Sequence, residues 1–335
     1  MKQASQVMYR VLIVGCGNIA GGFDYAKKGE FWPLTHAGAY ARHGGFTITG
    51  CIDSDETKLN YFASYWNIDI AAKDFLELRS EAGTYDVISI CSPTQFHEEH
   101  LGQALSLRPR VILCEKPLTN GDLIAASKFV SQCKSQGTLL VVNYSRNWDP
   151  SIAELINDLN KGLWGAIRSV VGHYNKGILN NGGHMLDLLF RMLGPLELIA
   201  TTQPDYDFWS DDPTIGVLLT AQEGLVPVYL NPTNANDYSY FELELICELG
   251  VIRMQSGGMG WQLRSVETSQ QYSGYKTLGV PKSFEGRYVE AMAGIVDEVY
   301  QYLQNGAETQ SGGDNALKVQ LLCNQIKQMA QQKYN

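Results

Sequence analysis

Two short stretches carry residue types and spacings able to do chemistry. The first is Val111-Ile112-Leu113-Cys114, four apolar residues that end abruptly in Glu115, Lys116 and Pro117. Such a run suits a strand buried on both faces, as a parallel sheet requires. Ligands of open α/β sheets bind beyond the carboxyl ends of the strands, so this carboxylate and ammonium stand where a reacting group would be met. Pro117 cannot donate to a neighbouring strand and keeps Lys116 out of the helical region, which limits where the ammonium points. A solvated loop is the competing account of the pair taken alone. The second stretch, Gly15-Cys16-Gly17-Asn18-Ile19-Ala20, follows the apolar run Val11 to Val14 and fits the G-x-G-x-x-A form of the dinucleotide fingerprint. Gly15 permits a tight turn, Gly17 lets a pyrophosphate approach bare backbone, and Ala20 permits close packing, with the phosphates on a helix N-terminus. Gly15, Gly17, Asn18 and Ile19 are the expected cradle. A glycine-rich turn discriminates poorly unless its surroundings agree.

The surrounding elements agree. Phe46 to Asp53 has the pattern of a strand ending in an acid. A carboxylate there accepts from a ribose 2′-hydroxyl and repels a 2′-phosphate, so Asp53 points to NAD ahead of NADP. A helix N-cap is the other role open to Asp53, with Ser54 and Asp55 as competitors. Gly17 to Asp53 is longer than the usual ~20 residues, and Phe23 to Leu34 has the look of an insertion before a helix carrying His36, Ala37 and Tyr40. Helices are expected over 55–66, 74–79, 95–107 and 122–136, and strands over 85–91 and 138–142. His97-Glu98-Glu99-His100 does not match the H-E-x-x-H zinc motif, because its histidines are three apart, and no metal is expected. Strand and helix alternate throughout, so this half is expected to be α/β, a doubly wound parallel sheet.

The bulk numbers set limits. A chain of 335 residues suggests two domains, here 1–145 and 146–335. The formal net charge of −9 argues against nucleic-acid and anionic-membrane partners, which rely on clustered Lys and Arg. The 7 cysteines are scattered singly without a C-x-x-C pair, which favours reduced, buried thiols over disulfides or a zinc site. The apolar run at Val11 to Val14 is too short for a signal segment or a membrane span, and a cytoplasmic location is expected.

Gly15-x-Gly17, Ser92-Pro93-x-x-x-His97, Glu115-Lys116-Pro117 and Asn143-Tyr144-x-Arg146-x-x-Asp149-Pro150 occur in the order seen in the glucose-fructose oxidoreductase, inositol dehydrogenase and MocA (Gfo/Idh/MocA) family, which the chain resembles over essentially its whole length. The resemblance implies an N-terminal Rossmann domain and a C-terminal α+β domain with a mostly antiparallel, open-faced sheet. It implies a cis peptide at Lys116-Pro117. It also implies contact with the cofactor from Ser92, Pro93, Thr94, His97, Glu115 and Lys116, with Pro93 and His97 beside the nicotinamide.

Beyond Pro150 a helix over 151–160 and a strand over 164–174 lead to Asn180-Asn181-Gly182-Gly183-His184-Met185-Leu186-Asp187 and a helix over 188–193. This matches the family's D-x-G-x-H-x-x-D segment, except that Asn180 replaces the first acid. An amide can orient a hydroxyl but cannot take its proton, which leaves His184 as the acid/base. A helix-start histidine satisfied by backbone is the plainer account. Strands are expected over 215–220, 226–230, 241–247 and 251–254, with Glu242, Glu244 and Glu248 on one solvated face. Two amphipathic helices close the chain, the second capped by Asp314, and 314–331 could pack back on the first domain.

The expected reaction is reversible hydride transfer between nicotinamide and a secondary alcohol of a sugar, polyol or nucleotide-sugar. Lys116 and His184 form its catalytic pair, Asn180 assists, and Tyr144, Arg146, Asn180 and Asp187 grip hydroxyls while Trp148 and Tyr174 stack on a sugar face. A homo-oligomer, dimer or tetramer, is expected with it. The rivals are a non-catalytic NAD or sugar sensor and a redox-cycling glycosidase or lyase.

Overall fold

The computed structural model describes residues 8–25, 32–81 and 83–334. The chain divides into two compact units, Met1–Trp148 with Val289–Lys318, and Asp149–Tyr288 with Val319–Asn335. The segment Val289–Lys318, after the second sheet, thus belongs to the first unit.

In the first unit, β1 (Tyr9–Val14), α1 (His36–His43), β2 (Phe46–Ile52), α2 (Glu56–Trp66), β3 (Ile70–Ala72), β4 (Val87–Ile90), α3 (His97–Ser106), β5 (Val111–Cys114), α4 (Leu123–Gln136) and β6 (Leu139–Val142) alternate along the chain. The strands form a 6-stranded sheet in the order β3-β2-β1-β4-β5-β6, parallel throughout. Val11 to Val14 and Val111 to Cys114 have no solvent exposure, which is why these strands are unbroken apolar runs. The strand ends lie in register: Ile52 pairs with Val14, Val14 with Ile90, Ile90 with Cys114 and Cys114 with Val142. Asp55 and Asp122 cap α2 and α4, each accepting from two backbone N–H groups. The helix expected over 74–79 is a 3-10 turn, Phe75–Glu81.

The glycine turn does not run into one continuous helix. Gly21 and Gly22 donate to the Gly17 carbonyl and Phe23 to that of Asn18, closing a first helical turn. The Ile19 and Ala20 carbonyls then receive the N–H groups of His36 and Ala37, at 3.2 and 2.8 Å. The hydrogen-bond ladder therefore passes from residue 20 to residue 36, and the intervening chain is an excursion spliced into the helix. Omitting residues 21–35 brings the Gly17 to Asp53 separation to about 21, close to the usual ~20. Part of the insertion expected at Phe23 to Leu34 lies outside the described residues, but its two ends are described. The buried Asp24 carboxylate accepts from Leu34 N, from Thr35 N at 3.0 Å and from Thr35 Oγ1 at 2.6 Å. Thr35 Oγ1 in turn accepts from Gly38 N at 3.1 Å and caps α1.

The second unit opens with α5 (Pro150–Asn160), capped by Asp149. Then come β7 (Ile167–Tyr174), a π-helical turn at Gly177–Gly182, α6 (Gly183–Leu193), β8 (Leu196–Thr201), β9 (Val217–Ala221), β10 (Val226–Pro232), β11 (Phe241–Cys247), β12 (Gly250–Gln255), β13 (Gly260–Thr268), β14 (Lys276–Leu278) and β15 (Lys282–Glu285). They form a 9-stranded sheet in the order β14-β13-β12-β11-β7-β10-β9-β8, with β15 on β13. Every pairing is antiparallel except β7 with β10. Phe241, Leu243, Leu245 and Cys247 are buried on one face of β11. On the other face Glu244 takes a bidentate contact from Arg253 of β12, 2.6 Å at its shorter arm. Glu248 falls beyond the strand rather than within its alternation.

The last helices are α7 (Ala291–Asn305), in the first unit, and α8 (Gly313–Tyr334), which belongs to the first unit through Lys318 and to the second from Val319. Asp314 is not the cap of α8. It lies inside the first turn and pairs with Lys134 of α4 at 2.7 Å. All 7 cysteines are buried and none forms a disulfide. Among the described residues no helix is long and apolar enough to cross a membrane.

A Cβ on Gly38 would collide with Asp24 Oδ2 and crowd Thr35 Oγ1. Gly38→Ala is therefore expected to cost about 1–3 kcal/mol by overpacking the clamp. Thermal unfolding measures this, and an unchanged midpoint would mean that Asp24 does not close the excursion in solution.

Candidate active site

Because the strand ends of the first sheet are in register, the residues following them make one row: Asp53, Gly15, Cys91, Glu115 and Asn143. Gly15 has φ +88°, and a Cβ there would press into the backbone of Cys91 and Ser92, 2.7 Å from Ser92 N. Only glycine fits that approach between the turns after β1 and β4. A Cβ on Gly17 would meet no protein atom within 4 Å. The backbone at Gly17 thus borders open space, as a pyrophosphate cradle requires. Asn18 and Ile19 continue the turn.

Asp53 is not a helix cap, since Asp55 performs that task. Its Oδ2 accepts from Cys16 N at 2.8 Å and its Oδ1 from Asp55 N at 2.9 Å. The carboxylate is thereby pinned beside the glycine turn. The neighbouring Cys51 and burial push the Cys16 thiol far above its usual range.

Beyond β4, Pro93 is exposed and Thr94 partly so, whereas Ser92 and His97 are buried. His97 Nδ1 lies 2.8 Å from Pro117 O and Nε2 lies 3.0 Å from Ser92 O. Burial lowers the His97 pKa more than the facing carbonyls raise it. His97 therefore ties the loop after β4 to the loop after β5, and its ring nitrogens are committed there. His100 Nδ1 is likewise engaged, 2.8 Å from Ser92 Oγ.

Glu115 sits at the end of β5, its N–H bonded to Ile90 O at 2.9 Å. Its Oε1 lies 2.9 Å from His36 Nε2 and accepts from Asn143 Nδ2 at 2.6 Å. Burial alone would raise the carboxyl pKa, but the bonds from His36 and Asn143 and the positive charge of Lys116 outweigh it and hold the group below its ordinary value. Glu115 is thus ionised and His36 Nε2 carries the proton between them. Neither His36 nor Asn143 stood out in the sequence as part of a site. A histidine at the start of the helix that follows an insertion was the available signal. The Lys116-Pro117 peptide is cis, as the resemblance implied. Tyr144, Arg146 and Trp148, in and beside the 3-10 turn Ser145–Trp148, are buried.

In the second unit, Asn180 lies in the π-helical turn, while His184 and Asp187 lie on α6 itself, three residues apart and so on one face. The helix begins five residues earlier than its apolar run indicated, at Gly183 rather than Leu188. Asn180 donates through Nδ2 to Lys176 O at 3.1 Å.

Two buried acids missed in the sequence hold this segment. Asp212 accepts from the N–H groups of Leu179 and Asn180, both at 2.9 Å. Asp207 accepts from those of Lys176 and Ala235 and from Thr214 Oγ1. Burial raises the Asp212 pKa in spite of these bonds.

Tyr174 is fully buried, donating through its hydroxyl to Ile215 O at 2.6 Å and accepting from Ile215 N at 3.0 Å. Trp148 is buried as well. Among the described residues no group of three or more His, Cys, Asp or Glu could hold a metal ion.

Residues 9–144 match the model of the Gfo/Idh/MocA family, described as an oxidoreductase family with an NAD-binding Rossmann fold. No curated protein matches the chain. Among solved structures, a mutant of KijD10, a 3-ketoreductase from Actinomadura kijaniata, in complex with TDP-benzene and NADP, is 18% identical with a TM-score of 0.75, over 96% of this chain and 98% of that one. The WlbA dehydrogenase from Bordetella pertussis, in complex with NADH and UDP-GlcNAcA, is 17% identical with a TM-score of 0.73, over 97% of each chain. An oxidoreductase from Agrobacterium radiobacter, in complex with NAD+, L-tartaric acid and magnesium, is 18% identical with a TM-score of 0.75, over 97% of this chain and 96% of that one. At such identities the likeness is one of fold. The glycine turn and the Glu115-Lys116-Pro117 strand end both lie within residues 9–144, the part of the chain that matches this oxidoreductase family with its NAD-binding Rossmann fold.

Proposed function

We propose that the protein catalyses reversible oxidation of a secondary alcohol on a sugar, polyol or nucleotide-sugar, with NAD as its cofactor. The observation that carries this reading is the row of strand ends that brings Asp53, the Gly15 to Gly17 turn with its open backbone at Gly17, and Glu115-Lys116 to one edge of one sheet. Bound nicotinamide supplies the acceptor for the hydride that leaves the carbinol carbon, and the remaining tasks fall to the chain. Lys116 hydrogen-bonds the reacting oxygen and stabilises its developing negative charge. His184 takes the hydroxyl proton as the carbon–oxygen double bond forms, a role suited to a group with an unperturbed pKa of ~6.5. Asn180, Asp187, Tyr144 and Arg146 orient the other hydroxyls, and Pro93 and His97 border the nicotinamide. Nucleotide-sugars stay among the candidates because KijD10 and WlbA were crystallised with a TDP and a UDP compound. A dimer or tetramer is part of the same reading and rests on the family resemblance.

Asn180, standing where the family's motif has an acid, favours a second reading, a sensor that binds NAD or a sugar without turnover. NADH formation over a panel of sugars, polyols and nucleotide-sugars separates the two, since a sensor retains cofactor and forms none. Turnover without net NADH would instead mark a redox-cycling glycosidase or lyase.

Lys116→Met is expected to lower kcat by about 10²-fold or more while NAD affinity changes by less than about threefold; a fully active variant would remove Lys116 from the mechanism. The ratio of kcat/KM for NAD over NADP is expected to exceed about 10 and to narrow in Asp53→Asn, because loss of the charge relieves repulsion of a 2′-phosphate. An unchanged ratio would assign the preference elsewhere.

A further inference from the structure

The contact between His36 and Glu115 joins two parts of the first unit that the reaction scheme leaves unconnected. His36 is the first residue of α1 and has no solvent exposure. From one side its position is set by the excursion: its N–H is bonded to Ile19 O at 3.2 Å, and Thr35 before it is held by Asp24 through Oγ1 and N. From the other side its Nε2 meets Glu115 Oε1 at 2.9 Å, and the same oxygen receives Asn143 Nδ2 at 2.6 Å. Asn143 N is itself bonded to Cys114 O at 2.9 Å. The carboxylate is therefore tethered to the ends of β5 and β6 and to the re-entry point of the excursion.

Lys116 follows Glu115 directly, and its positive charge bears on that carboxylate. A carboxylate fixed by two donors keeps a constant bearing on the neighbouring ammonium. An untethered one would turn towards the ammonium and draw it away from a reacting oxygen. We propose that His36 is a positioning residue, which by holding Glu115 sets the direction of Lys116, and that the clamped excursion is the device that places His36. The inference rests on the reading of Lys116 as the group that meets the reacting oxygen.

The test uses the full chain with His36→Leu, His36→Gln, His36→Leu/Glu115→Gln and Lys116→Met. Four quantities are measured: thermal midpoint, NAD affinity by fluorescence titration, kcat and KM on the best alcohol of the panel, and the rate at which trace acetic anhydride labels Lys116, followed by peptide mass spectrometry. His36→Leu is expected to lower kcat by about 10–100-fold, the scale of a small misplacement of a reacting group, with NAD affinity within about threefold. Labelling of Lys116 is expected to fall by about threefold or more as the loosened carboxylate closes on the ammonium. His36→Gln keeps an N–H donor and should recover both readouts to within about fivefold of the parent.

Removing one partner of a buried carboxylate could unfold the chain. The double variant leaves no unpaired buried charge, and in it kcat should remain depressed. Parent-like kcat and labelling in a folded His36→Leu or double variant would overturn the inference. So would a folded His36→Gln no better than His36→Leu, or loss of NAD binding in proportion to kcat. If Lys116→Met is inactive while the folded His36 variants match the parent, the inference alone fails. An active Lys116→Met overturns both it and the reading it rests on.

Discussion

The alignment of parallel strand ends is the constraint on which the first unit depends. Ile52, Val14, Ile90, Cys114 and Val142 are joined across the sheet in one line. The chain must therefore leave each of these strands at the same level, and the residues that follow share one edge. Of these strands, β1, β4 and β5 are held between neighbours by their ladder hydrogen bonds and are buried on both faces. Chemistry placed at the ends of such strands inherits their rigidity.

Charge is admitted to this interior only where donors meet it. Asp24, Glu115, Asp207 and Asp212 each accept at least two hydrogen bonds from backbone or side-chain donors. An ionised group taken from water without such partners would cost several kcal/mol. The four acids also share a purpose, since each ties an irregular stretch to a regular one. Asp24 closes the excursion ahead of α1, Glu115 joins β5 to α1 and β6, and Asp207 and Asp212 hold the turn that precedes α6. The polar framework thus follows the irregular backbone, where ladder hydrogen bonds end and other partners must replace them.

The sequence showed most where a signal was long or sterically singular. Apolar runs gave β1 and β5 and, interrupted by the buried Ser89, β4, and the resemblance carried by Glu115-Lys116-Pro117 gave the cis peptide. The alternation on β11 gave the antiparallel sheet. Strands without a buried apolar pattern were missed: β3 and β14 have 3 residues each, β15 is exposed along its length, and the longer β8 and β13 are each buried at a single position. The bond from the Tyr174 hydroxyl to the Ile215 carbonyl was not legible, because its partner lies 41 positions away. Asp314 looked like a cap because it stands one residue from the helix start, yet its carboxylate is used by Lys134. His36 and the two holding acids of the second unit were invisible for a common reason. Their partners are distant in the chain, and a contact between Glu115 and a residue 79 positions away leaves no local pattern.

The splice at residues 20 and 36 also bears on how such a domain tolerates change. Among the described residues the two ends of the excursion are joined by hydrogen bonds between Asp24 and Thr35, so the start of α1 is held by that gate rather than by the length of chain between the two ends. Entropy grows slowly with loop size, about 0.6 kcal/mol for each doubling. Natural drift or a designer's graft could therefore alter that interior considerably and leave the sheet edge where it stands, provided the gate itself is spared.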